Sequence, residues 1–159
     1  MILQTFSNEN YDKTRHEGIE VGLKLKLNEC LEVFGNTSCL RSKFTGGTYA
    51  DNDIPGVPRY KGSLGAIIAM PQNTKINIIG NYVGRQYFIS DQANSLPKMD
   101  EYMTVDARMS HMFKDLTAFV GIDNIFNERY SQYGVKSGSS RFFYPSPERN
   151  FSAGVSYKF

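Results

Sequence analysis

The sequence predicts an all-β fold: an antiparallel up-and-down transmembrane β-barrel segment of about seven to eight strands, with short periplasmic turns and long extracellular loops. Three observations predict it. The last twelve residues, 148–159, alternate polar and apolar and stop on an aromatic residue. A period of two recurs along most of the 159 residues. The connections between periodic segments are alternately tight and long.

Taken in order, a partial strand is expected before Asn8 and a first full strand over 18–27. There Ile19, Val21, Leu23, Leu25 and Leu27 alternate with Gly18, Glu20, Gly22, Lys24 and Lys26. Side chains in extended chain repeat every two residues, so such a segment has one apolar and one polar face. Residues 31–44 form the poorest case, with alternation broken after Val33. Over 60–70 the apolar set is Tyr60, Leu64, Ala66, Ile68 and Met70, and over 75–88 it is Ile76, Ile78, Tyr82 and Phe88. Over 102–113 Met103, Val105, Ala107, Met109 and Phe113 oppose Thr104, Asp106, Arg108 and Ser110. Leu116, Ala118, Val120 and Ile122 continue the pattern. The last strand sets Phe151, Ala153, Val155, Tyr157 and Phe159 against Asn150, Ser152, Gly154, Ser156 and Lys158.

Residues 28–29, 71–74 and 114–115 read as tight turns, while 9–17, 45–57, 90–101 and 125–147 read as long connections. Outer-membrane barrels keep short turns in the periplasm and long loops outside, which puts the C-terminus on the periplasmic side. A soluble β-sandwich buries one face of each strand and predicts the same alternation. The connection lengths, the terminal aromatic and the inward lysines favour the membrane.

Composition agrees. Hydrophobic residues make up 40% of the chain and the mean hydropathy is negative, which a barrel tolerates because only alternate residues face lipid. No run approaches the roughly 18 apolar residues of a spanning helix. The 18 basic and 16 acidic residues are too evenly balanced for nucleic-acid binding. Cys30 and Cys39 are expected on one strand, nine residues apart at about 3.3 Å each, beyond the reach of a disulfide within the chain. Residues 1–10 carry no basic region, long apolar stretch or cleavage site. Since the chain opens within a strand-like segment, it is expected to be the end of something longer.

In its C-terminal half the chain resembles the barrel of TonB-dependent outer-membrane receptors. Val120-Gly-Ile-Asp-Asn-Ile-Phe-Asn-Glu-Arg-Tyr130 is similar to the family's glycine, Asn-Leu-Phe and tyrosine segment, with Ile125 where leucine is commoner. Tyr144-Pro-Ser-Pro-Glu-Arg-Asn-Phe151 is similar to the run that opens the last strand, with Glu148 replacing a glycine. Ile54-Pro-Gly-Val-Pro-Arg59, Gly18-Ile-Glu20 and Val83-Gly-Arg-Gln-Tyr87 match further stretches in the same order.

The resemblance implies that residues 1–159 are the C-terminal portion of a barrel of about 22 strands whose lumen holds an N-terminal plug. The implied partners are outer-membrane lipid, the missing N-terminal strands and plug, TonB through the full-length receptor, and a ferric siderophore-like ligand. The implied location is the cell outer membrane of a Gram-negative bacterium. Each free edge strand leaves on the order of ten backbone groups unpaired, at about 2 kcal/mol or more each in hydrocarbon. The isolated segment must therefore be completed by the missing strands, close on itself as an eight-stranded barrel with a structural, adhesive or lipid-modifying role, or pair edge to edge with a second copy.

Val155, Tyr157 and Phe159 resemble the C-terminal assembly signal of barrel proteins; a lipid-facing stripe ending in an interfacial aromatic uses the same residues. Arg129, Tyr130, Tyr133, Lys136, Arg141, Phe142, Phe143 and Tyr144 place cations and aromatics in one external loop. That set suits an anionic, partly aromatic ligand, and equally an aromatic girdle with ordinary loop polarity. Glu20, Lys24, Lys26, Asp106, Arg108 and Lys158 are expected to point into the lumen, where they neutralise one another or else meet a plug or guide an anionic solute. Residues 50–56 carry paired aspartates, but the twelfth position counted from Asp51 is Gly62 rather than a bidentate glutamate, so no calcium loop is expected. His16 and His111 form no zinc motif. No metal, cofactor or catalytic constellation is expected.

Overall fold

The computed structural model describes residues 13–159. The strand expected before Asn8 lies outside the described residues, as do residues 9–12 of the first long connection. From Thr14 onward that connection is already strand, a correction to the expected boundary at 18.

Nine strands are described: β1 Thr14–Lys26, β2 Leu31–Phe44, β3 Tyr60–Met70, β4 Thr74–Val83, β5 Tyr102–Phe113, β6 Leu116–Asp123, β7 Ser131–Ser137, β8 Ser140–Pro145 and β9 Asn150–Tyr157. Seven form one antiparallel sheet in the order β1-β2-β3-β4-β5-β6-β9, and β7 and β8 form a separate hairpin. β1 and β9 each pair on one side only, so the sheet is not closed among the described residues. The seven strands of the sheet are those the alternation predicts. β2 runs unbroken to Phe44, although its apolar pattern fails after Val33, because β1 and β3 pair along it.

Cross-strand partners in an antiparallel ladder share a face, so the register decides which residues lie together. Leu23 is opposite Gly35, Gly35 opposite Leu64, Leu64 opposite Gly80 and Gly80 opposite Val105. The same face continues through Met109–Val120 and Val120–Ala153. The predicted apolar sets, Phe88 excepted, therefore join on one side of one sheet. That side is open, with Ile19 73%, Leu64 67% and Phe151 69% exposed. The opposite side carries Glu20, Lys24, Lys26, Asn36, Ser63, Asn81, Asp106 and Arg108.

Tight connections at 27–30, 71–73 and 114–115 lie at one end of the sheet, and long ones at 45–59, 84–101 and 124–149 at the other. The two shorter turns rest on left-handed residues: Gln72 and Asn73 with φ of 61° and 57°, and Lys114 with 53°. Among the described residues the buried hydrophobic ones are Phe44, Phe88 and Met99, all at the long-connection end. The sheet itself has no dry core.

Two expectations are corrected here. Phe88 does not face outward on a strand: β4 ends at Val83, and Phe88 is fully buried beneath the hairpin. The segment 125–147 is not all loop, since it holds β7 and β8. Two smaller boundary changes follow. β9 stops at Tyr157, so Lys158 lies beyond the strand, with its N–H donating to the Asp115 carbonyl at 2.9 Å. Cys30 precedes β2 while Cys39 lies within it, and both thiols are free and exposed.

Candidate functional site

The long connections are joined to one another through polar side chains. Asp91, fully buried, accepts from the Leu96 N–H at 2.9 Å, the Ser95 N–H at 3.0 Å and the Ser95 hydroxyl at 2.9 Å. Lys136 Nζ reaches it from β7 at 2.9 Å. Burial pushes the Asp91 carboxyl up, but the bonds from Leu96, Lys136 and Ser95 outweigh it and hold the group below its ordinary range. Ser90 donates to the Lys136 carbonyl at 2.6 Å and accepts its N–H at 2.9 Å. Asn94, at φ 51°, exchanges bonds with both backbone groups of Asp53.

The apolar part of this junction is built on Gly134. A Cβ there would lie 2.7 Å from Phe88 Cδ1, so only glycine lets the hairpin close over the ring. Phe143, opposite Gly134, meets Phe88 edge-on at 5.3 Å.

A second knot holds the start of the third connection. Asn124 and Asn127 adopt φ of 53° and 56°, which asparagine tolerates better than most residues. Asp106 accepts the Asn124 N–H at 2.8 Å, Asn124 brackets the Glu128 backbone through two bonds of 2.9 Å, and Asn127 accepts the Arg149 N–H at 2.8 Å. The Asn-rich stretch that carries the family likeness is thus a rigid turn anchored on β5.

Between these knots lies a cleft of about 690 Å³. Tyr102, on the polar face of β5, stacks on Tyr130 with centroids 4.2 Å apart. Arg129, Phe143, Met99 and Pro145 also line it, together with Asp100, Glu101, Glu128 and Glu148. Arg129 pairs with Glu148 at 3.4 Å. Arg85 pairs with Glu101 and holds that carboxyl below the usual range, first through a hydrogen bond.

Of the eight predicted loop residues, Arg129, Tyr130 and Phe143 meet in this cleft. Tyr133 and Phe142 lie on the other face of the hairpin, where Tyr133 stacks on Tyr144 at 4.6 Å. Arg141 faces Lys136 in the register. The four carboxylates escaped the sequence reading, because they come from two different connections, on either side of β5 and β6.

The predicted lumen charges divide into separate contacts. Lys24 pairs with Glu32 at 3.0 Å and Lys26 with Glu29 at 3.2 Å. Glu20 stands opposite Ser38. Asp106 also accepts from Asn81 at 3.2 Å. Arg108 lies 3.6 Å from the centroid of Phe119, an aromatic on the polar face that the alternation had not marked. His16 bonds Ser42 and His111 bonds Thr74, each at 2.8 Å. Val155 and Tyr157 lie on the apolar face of β9, and Phe159 beyond its end packs edge-on against Tyr157 at 5.1 Å.

A family model described as TonB dependent receptor-like, beta-barrel, matches residues 2–125. The pesticin receptor of Yersinia enterocolitica is 31% identical over 144 residues, covering 87% of this chain and 21% of that protein. The chain thus spans about a fifth of the length of the curated relatives it matches. The crystal structure of the ferric yersiniabactin uptake receptor FyuA from Yersinia pestis superposes with a TM-score of 0.75 at 27% identity, over 89% of this chain and 23% of that one. The siderophore receptor PiuA from Acinetobacter baumannii shares the fold, with a TM-score of 0.77 at 19% identity, over 92% of this chain and 22% of that one.

Proposed function

The chain belongs to the TonB-dependent receptor β-barrel family, and from that premise we propose that residues 1–159 are the C-terminal part of an outer-membrane receptor barrel that imports a ferric siderophore or similar scarce nutrient with energy from TonB. One observation carries the reading: a single seven-stranded sheet keeps a continuous apolar face open and a polar face opposite. Left in water, an apolar surface of this extent associates or aggregates. Against hydrocarbon on one side and a hydrated lumen on the other, both faces are satisfied.

The tight turns then lie in the periplasm, with the C-terminus beside them, and the long connections lie outside. The free edges of β1 and β9 pair with strands from the rest of the receptor, which also supplies the plug and the contact with TonB. The 159 residues are not transport-competent alone. Val155, Tyr157 and Phe159 serve as the assembly signal. Arg129, Tyr130 and Phe143 contact ligand at the extracellular mouth, where the cleft opens on the polar side above Tyr102. The reading is of a receptor and not an enzyme.

Two measurements test it. Antibody against residues 149–159 should detect, in outer membranes of the source organism, a band several times heavier than 18.0 kDa. Deleting the gene should abolish uptake of radioactive iron presented as the organism's own ferric siderophore. A band at 18.0 kDa, or undiminished uptake of every siderophore tried, removes the proposal.

A further inference from the structure

The cleft above Tyr102 carries an excess of negative charge. Asp100, Glu101, Glu128 and Glu148 line it against Arg129 alone, and Arg85 adds a second cation from outside the lining. Arg129 is taken up by Glu148 and Arg85 by Glu101. Asp100 and Glu128 are exposed and belong to no ion pair among the described residues. Arg85 acts on Asp100 only through charge, without a hydrogen bond. Neighbouring cations are committed elsewhere, Lys98 to Asp53 and Lys136 to Asp91, and Arg141 does not line the cleft. Two carboxylates therefore remain uncompensated in a concave surface, where low-dielectric walls concentrate the field.

The aromatic walls act in the same sense. Ring faces carry negative potential, so the stacked Tyr102–Tyr130 pair and Phe143 attract cations and not anions. The walls are also tied together from behind. The Met99 N–H donates to the Gln86 carbonyl at 2.8 Å, the buried Gln86 amide donates to the Gln132 carbonyl at 2.7 Å, and the Ser146 N–H donates to the Tyr130 carbonyl at 3.0 Å. Side chains can turn within this frame, but the surplus of carboxylates in the cleft is set by the backbone that carries them.

Resting on the reading of this cleft as the ligand site, we infer that it selects a ferric chelate of net positive charge, with Asp100, Glu128 and the ring faces of Tyr102 and Tyr130 meeting the cationic group. That sign is the reverse of what the loop cations suggest in sequence, because Arg129 is neutralised where it stands and the carboxylates arrive from a second connection. The volume of about 690 Å³ is that of a small-molecule site. Three hydroxamates neutralise ferric iron, so a trihydroxamate whose chain ends in a free amine is a monocation. Three catecholates leave a trianion, which the uncompensated carboxylates repel.

The test titrates the full-length receptor in detergent, by calorimetry, with one linear ferric trihydroxamate in three forms: terminal amine free, acetylated and succinylated. The forms run from cation through neutral to anion while the iron centre stays the same. The free-amine form should bind on the order of tenfold tighter than the acetylated one, and the succinylated form should be weaker again. Added salt should narrow the spread. Asp100→Asn with Glu128→Gln should narrow it too, and Asp100→Glu with Glu128→Asp should keep it. Equal affinities, tighter binding of the succinylated form, or no binding of the free-amine form overturns the inference with wild-type receptor alone. The reading beneath it fails differently: if Tyr130→Ala with Phe143→Ala leaves every affinity unchanged, the cleft is not the ligand site, whatever the ranking by charge.

Discussion

Lys136 of β7 donates to the fully buried Asp91 of the preceding long connection at 2.9 Å, across 45 positions of sequence. This contact joins two connections that alternation alone leaves independent. The ammonium also donates to Ser95 at 2.6 Å, so the pair is hydrogen-bonded on both sides. Such pairing is the condition under which a desolvated charge is tolerated.

Asp91→Asn should loosen the hairpin locally by about 3 kcal/mol, since it leaves a partly buried ammonium without its carboxylate. Limited proteolysis of the full-length receptor should then cut within 124–149 while the strands stay protected. Unchanged protection would show that Phe88 and Phe143 suffice.

The same pair sets a pH dependence. The Asp91 carboxyl is held below its ordinary value in the folded state, so the unfolded loop binds a proton first as pH falls. Its contribution is fully present above the ordinary aspartate pKa, near 4, and is lost as pH drops through the lower folded value. Hairpin protection, followed by hydrogen exchange, should be flat from neutral pH to about 4 and decline only below it. A decline between neutrality and about pH 5 would point to a different titrating group.

Gly154 gives space to Phe119: a Cβ there would lie 2.5 Å from the ring. Gly154→Ala should cost about 1–3 kcal/mol through displacement of Phe119 from beneath Arg108. Phe119→Ala in the same chain should recover part of the loss. Denaturant midpoints of folded receptor in detergent would measure both, and additive losses would mean the ring is not the obstacle.

Ile78 and Asn77 are neighbours on β4 that face opposite ways. Ile78→Lys should destabilise the barrel by about 2–4 kcal/mol if it lies near mid-bilayer, and Asn77→Lys by far less. Equal effects would be incompatible with one lipid face and one lumen face.

Deleting Phe159 removes the ring that packs on Tyr157 without touching β9 itself. The expected result is a several-fold fall in heat-modifiable receptor in the outer membrane, with synthesis unchanged. Normal assembly would reduce the terminal aromatic to an interfacial anchor.

The wall of the barrel is legible in the chain alone. Ile19, Leu64, Ile78, Met109, Val120 and Val155 each fall on the apolar face of their strand by alternation alone, because extended chain turns its side chains with a period of two and each strand's pattern is local. The order of tight and long connections followed from the same counting, and antiparallel neighbours then fixed the sheet. Where the pattern failed it was still local: β2 lacks alternation after Val33 because its polar face takes Leu40 and its apolar face Gly35 and Thr37, and its neighbours hold it in register regardless.

Beyond the strand ends, long-range packing sets the arrangement. Phe88 reads as the next outward residue of β4, yet the chain leaves the ladder at Val83 and the ring is buried under Gly134. Nothing within ten residues of Phe88 announces that glycine. The packing of the β7–β8 hairpin on Phe88, the Asp91–Lys136 pair and the carboxylate-lined cleft all join residues distant in sequence. Such contacts carry no period, because they depend on how loops meet in space and not on how a strand alternates.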